Sequence, residues 1–101
     1  MLEAKIFIDD SDIYKAEQMV DYVVRFLLQH KIKGATVFGG RIGFGKHHHL
    51  YNPGLIGSTD SIPLMVLFID EDDKVKSLLP ELKNIISDSL IVFNKTEEFI
   101  S

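Results

Sequence analysis

Two amphipathic stretches with a helical period, each bracketed by short apolar runs of strand character, constrain this chain more than any other feature. Leu2 to Ile8 (LEAKIFI) alternates through Leu2, Ala4, Ile6 and Ile8, the period of a half-buried strand. Ile13, Ala16, Val20, Val23 and Leu27 then recur at steps of three and four, with Met19, Tyr22 and Phe26 widening the stripe. A helix is expected from about Ser11 to His30, opened by the cap-forming Asp9-Asp10-Ser11-Asp12 and closed at Gly34. Ala35 to Phe38 reads as a second strand. Ile62 to Ile69 (IPLMVLFI) reads as a central third one, with Pro63 tolerable only at its start. Asp70-Glu71-Asp72-Asp73 opens a second helix along Val75, Leu78, Leu79, Leu82, Ile85 and Ile86. Pro80 predicts a kink there, or a break into two short helices. Leu90 to Phe93 closes the chain as a fourth strand.

The order βαββαβ matches the split βαβ, an α+β ferredoxin-like layout: a four-stranded antiparallel sheet with both helices on one face. "KIFIDDSDIYK" and "VLFIDEDDKVK" echo each other and hint at a pseudo-twofold relation of the halves. The opposite sheet face has no helix to cover it. Ile8, Val37, Phe68 and their alternate neighbours are expected to leave apolar surface there, which self-assembly would bury.

Bulk properties bound the function. At 101 residues, one domain over 1–101 is expected, with a core that needs no staples. There is no cysteine, which removes disulfides and cysteine-based zinc sites. The formal charge of −4 lacks the basic surplus of a nucleic-acid binder. No apolar run approaches the roughly 20 residues that span a bilayer, so an integral membrane protein is not expected. The acidic N-terminal stretch does not read as a signal peptide, and the expected setting is cytoplasmic.

The span from about 39 to 61 follows no period and exceeds the ~12–15 residues beyond which loops are usually functional. Gly40-Arg41-Ile42-Gly43-Phe44-Gly45-Lys46 scans as G-x-x-x-x-G-K, but His47 stands where a P-loop needs Ser or Thr. Asn52-Pro53-Gly54 follows where that motif needs a helix. A looser anion site is open instead. Backbone N–H groups of Gly39, Gly40, Gly43 and Gly45 would converge on a phosphate, Arg41 and Lys46 would neutralise it, and Phe44 would stack beside it. The same composition also suits a loop of solvated charges. His47-His48-His49 offers imidazoles; in an extended segment His47 and His49 share a side and form a partial divalent-metal site, the competing reading being histidines that only titrate. The acidic clusters are accounted for by helix dipoles, and no base–nucleophile pair is visible, so no enzyme is expected.

"GATVFGGRIGFGKHHHL" followed by "STDSIPLMVLFIDEDDKVKSLLPEL" resembles the PII-like domain-of-unknown-function 190 family, through Gly34-Ala35-Thr36-Val37, Gly43-Phe44-Gly45 and the "LPEL" of the second helix. The resemblance covers nearly the whole chain. It implies a PII-like homotrimer with ligand clefts between subunits at the base of the long loop. That base is Gly39, Gly40 and Arg41 on one side and Ser61 and Ile62 on the other. Further implied are an adenine-nucleotide ligand and a loop tip that contacts a regulated membrane transporter or enzyme. PII proper carries a Gly-Asp-Gly-Lys turn before its last strand to hold phosphates; this chain has Ser87-Asp88-Ser89, without glycine or cation.

Overall fold

The computed structural model describes residues 1–54 and 61–100. The chain runs β1 (Leu2–Asp9), β2 (Ile13–Tyr14), β3 (Glu17–Gln18), α1 (Met19–Gln29), β4 (Gly34–Gly39), β5 (Pro63–Asp70), α2 (Asp72–Ile86) and β6 (Leu90–Lys95). The main sheet has the order β4-β5-β1-β6, every pairing antiparallel. This is the expected α+β ferredoxin-like architecture. Leu2, Ala4, Ile6 and Ile8 of β1 and Val66 and Phe68 of β5 are buried against Met19, Val23, Phe26 and Leu27 of α1 and Val75, Leu78, Leu82, Ile85 and Ile86 of α2. The core is therefore one layer between the sheet and its two helices.

Three local expectations are corrected. The first helix starts at Met19, not near Ser11. Residues 13–18 instead form a two-residue hairpin in which Ile13 pairs with Gln18 and Tyr14 with Glu17. Lys15 and Ala16 at its tip have φ of 49° and 64°, as a type I′ turn demands. The hairpin is held on α1 by Tyr14 edge-on to Tyr22 and by Glu17 bonded to Arg25 at 2.6 Å. Side-chain contacts to α1 thus compensate a turn that local propensity disfavours. Second, of the two outcomes expected at Pro80, the break into two short helices does not occur: α2 is a single helix through Pro80. Pro80 and Lys76, whose carbonyl loses its partner, are both exposed, so water can take the freed acceptor.

Third, the uncovered face is lined by other residues than expected. Ala4 pairs with Phe68 and Ile6 with Val66, which puts Ile8, Val37 and Phe68 on the helix side; Ile8 and Phe68 are fully buried there. The open face carries Phe7, Met65, Leu67, Phe38, Leu90 and Val92, with Lys5 between Leu67 and Val92. Phe7, Phe38 and Leu90 remain 40%, 47% and 59% exposed. The parity matters because side chains alternate along a strand, so a one-residue offset moves a whole set to the other face. It also undoes the sequence echo: Phe7 lies on the open face while Phe68, its counterpart in the echo, lies in the core.

Candidate functional site

Asp9 is the last residue of β1 and, by the same alternation, faces the open side. The turn after it is closed by its neighbours: Asp12 N–H donates to the Asp9 carbonyl at 3.0 Å, and Asp9 N–H donates to Asp12 Oδ2 at 2.9 Å. Aspartate carboxylates compete well for nearby backbone donors, which makes this acidic run a turn and not a helix cap. Asp10 binds the returning end of the long β4–β5 connection, exchanging bonds with Ile62 through both its N–H (3.0 Å) and Oδ1 (2.9 Å). Ser11 Oγ and Ser61 Oγ lie 2.8 Å apart. The root of the connection is therefore pinned to the β1–β2 turn.

On the outgoing arm, Gly40 N–H donates to the Pro63 carbonyl at 2.7 Å. Gly43 and Tyr51 exchange two backbone bonds, 2.9 and 2.7 Å, which closes the inner part of the connection as a bridge. Gly43 sits at φ 152°, a conformation that side chains resist. The Gly40 and Gly43 N–H groups are thus engaged within the chain. Beyond the bridge the backbone turns at residues 45–48, with His48 N–H donating to the Gly45 carbonyl and His48 at φ 55°. Gly45 lies directly against Asp9: a Cβ there would stand 3.2 Å from Asp9 Oδ1.

This turn brings Lys46 across to the α2–β6 junction. Lys46 Nζ lies 3.0 Å from Asp88 Oδ1, 3.0 Å from Ser89 Oγ and 3.9 Å from Asp12 Oδ2. The junction, whose Ser89 carbonyl already accepts from Lys83 Nζ at 3.5 Å, thus receives a further cation from the connection, 42 residues away in sequence. His47 Nε2 points back to Asp12 Oδ1 at 3.8 Å. The rings of His47 and His49 are 6.2 Å apart, and His49 does not join the carboxylates. A cleft of about 350 Å³ opens here, walled by Phe7, Phe44, Pro63, Leu64 and Leu90, with Asp9, Asp12, Lys46 and Asp88 at its polar end. A second concavity of about 320 Å³ lies across Phe44, bordered by Phe38, Gly39, Gly40 and Gly43. Arg41 is exposed and borders neither. Residues 55–60, within the span singled out in the sequence, lie outside the described residues.

Electrostatically the polar end is unbalanced, with three carboxylates facing one lysine. Burial and the neighbouring Asp12 charge push the Asp9 carboxyl up from its ordinary value, against smaller opposing effects of His47 and Lys46. The Lys46 hydrogen bond and charge hold Asp88 below the usual carboxylate range. Sequence reasoning missed Asp9, Asp12, Asp88 and Ser89 as site residues. The available signal was the adjacency of the acidic run to a strand end.

An antiparallel ferredoxin-like sheet, a long connection rooted beside an apolar open face, and a cleft at that root define a PII-like α+β fold. The fold is shared with CPII, a nitrogen regulatory PII-like protein from Thiomonas intermedia, at a TM-score of 0.65 and 17% identity over 92% of this chain and 82% of that one. It is shared also with CutA1 from Pyrococcus horikoshii, at a TM-score of 0.66 and 13% identity over 99% of this chain and 87% of that one. The family model DUF190, described as uncharacterized ACR, matches residues 1–98, and the chain belongs to that family. It is 29% identical over 79 residues to a UPF0166 protein of Aquifex aeolicus, 78% of this chain and 75% of the relative. To a UPF0166 protein of Methanocaldococcus jannaschii it is 23% identical over 88 residues, 87% of this chain and 81% of the relative. Among the described residues no helix is long and apolar enough to cross a membrane.

Proposed function

We propose that the chain is a non-enzymatic PII-like regulatory subunit that works as a homotrimer. It takes a small anionic ligand of the adenine-nucleotide class at the root of the β4–β5 connection and contacts a regulated transporter or enzyme through that connection. The observation that carries the reading is the delivery of Lys46 to the Asp88-Ser89 junction, at the polar end of a cleft with apolar walls. Phe44 and Pro63 give a base a surface to lie on, while Lys46 and Ser89 suit phosphate oxygens. The Lys46–Asp88 pair is cheap to break: the Asp88 side chain is 80% exposed, and such pairs contribute about 0–1 kcal/mol. A hydrogen bond to a charged group is worth about 1.5–3 kcal/mol, so phosphate can displace Asp88 from the lysine. Arg41, exposed on the outgoing arm, is available to a ligand that a neighbouring subunit helps enclose. The apolar open face supports self-assembly, and the similar CPII is described bound to ADP, AMP and bicarbonate. Ligand binding would act by changing how the connection is held at Gly43–Tyr51 and Lys46.

Calorimetric titration with ATP, ADP, AMP and cyclic AMP tests the reading. At least one should release heat, and Lys46→Ala and Arg41→Ala should weaken it by about tenfold or more per lost charged contact. No heat with any of the four would end the nucleotide assignment.

A further inference from the structure

The polar end of the cleft walled by Phe7, Phe44 and Leu90 carries a second chemistry. We propose that Asp9, Asp12 and His47 form a divalent transition-metal site, with zinc the best-suited ion, and that the site stands independently of any nucleotide. One oxygen of each carboxylate and a ring nitrogen of His47 lie within 4.8 Å of one another. Ligands sharing one ion at about 2.0–2.2 Å stand roughly 3–4 Å apart, so little movement closes the site. The 3.8 Å from His47 Nε2 to Asp12 Oδ1 is too long for a hydrogen bond and falls in that range.

One observation beyond the cluster itself points to a cation. Asp9 is only 8% exposed, it lines the cleft, and its carboxylate makes no hydrogen bond with any described residue, so its oxygens meet only what fills the cleft. A carboxylate buried to that degree normally has partners. Asp12, whose side chain is 9% exposed, is already oriented by its neighbours. Its Oδ2 accepts the Asp9 N–H and faces Lys46, which fixes the carboxylate and leaves Oδ1 directed at His47. Such an outer arrangement is how proteins orient metal ligands. Asp88 and Ser89 hold the Lys46 ammonium 3.9 Å from Asp12 Oδ2. One imidazole with two carboxylates suits a first-row divalent ion better than magnesium or calcium, which prefer oxygen alone. Three protein ligands leave open positions toward the cleft.

Zinc titrated into the full chain without nucleotide, read by calorimetry and thermal shift, tests the site. His47→Ala, which removes an exposed side chain, and the isosteric Asp9→Asn should each weaken zinc by about tenfold or more. His49→Ala should bind as the unaltered chain does. Lys46→Ala should bind zinc more tightly, the opposite of its expected effect on a nucleotide, so the two readings fail separately. Zinc binding that survives Asp9→Asn, or is lost equally in His49→Ala, overturns the assignment in favour of a histidine-tract site. No zinc binding, or magnesium binding of equal strength that ignores His47, overturns it outright.

Discussion

Replacing Ala16 by glycine should stabilise this protein, although glycine usually does the reverse. Ala16 sits at φ 64° in the β2–β3 turn, and its side chain is exposed, so no packing is lost with its methyl. A left-handed conformation costs an L-residue roughly 1–2 kcal/mol. Glycine removes that cost but gives the unfolded chain extra freedom worth about 0.4–1 kcal/mol. The difference is a net gain of about 0.5–1 kcal/mol, or roughly 2–8 °C in melting temperature for a chain of this size. Lys15, at φ 49°, offers an internal comparison, because its ammonium also lies 5.4 Å from the Tyr14 ring centre. Lys15→Gly relieves similar strain but forfeits that contact, worth about 0.5–1 kcal/mol at an exposed site, and should come out near neutral. Ala16→Val should destabilise, because branching at Cβ is least tolerated at positive φ. Urea and thermal melts at one fixed protein concentration measure all three, since self-association would otherwise move the midpoint. An Ala16→Gly protein no more stable than its parent would refute the reading that the hairpin holds Ala16 in a strained turn whose cost the contacts to α1 offset.

Two further outcomes follow from the same structure. Pro80→Ala restores the bond to the Lys76 carbonyl within α2 and should stabilise by about 1–3 kcal/mol, less than the full helix-interior penalty because proline also restricts the unfolded chain; urea melts read it. Asp70 is buried, which alone would raise its pKa, but bonds from the Glu71 and Lys33 N–H groups and nearby Lys74 outweigh burial and hold it below the ordinary value. The unfolded state therefore binds more protons between the two values. The contribution is complete above about pH 5 and is lost as pH falls through the native value. Asp70→Asn should flatten that part of the stability–pH curve.

Periodicity made the architecture legible because β1, α1 and α2 each bury one face, and burial of one face writes a period into the residues. It did not reveal the hairpin. Ile13 and Ala16 extend the helical stripe numerically, while the Tyr14–Tyr22 and Glu17–Arg25 contacts that decide the matter are tertiary. Nor did it assign the faces of β5: Leu64 to Ile69 is apolar on both sides, so only pairing with β1 tells Phe68 from Leu67. The candidate site was half visible. Lys46, Phe44 and His47 stand out within a glycine-rich span. Asp9, Asp12, Asp88 and Ser89 lie far away in the chain and become neighbours only once β1 and the α2–β6 junction are laid beside the connection. A helix-dipole account of Asp9 to Asp12 was self-consistent as long as the helix was taken to start there.

In the proposed reading, further copies of this chain cover the open face of Phe7, Met65, Leu67, Phe38, Leu90 and Val92 and complete the cleft at the root of the connection. Native mass spectrometry at micromolar concentration counts those copies and weighs any small molecule retained with them. The predicted result is a three-subunit species that Leu67→Glu, a charge placed in the middle of that face, reduces to single chains that remain folded by circular dichroism. A protein that stays monomeric, or a Leu67→Glu variant that assembles as before, would contradict the claim.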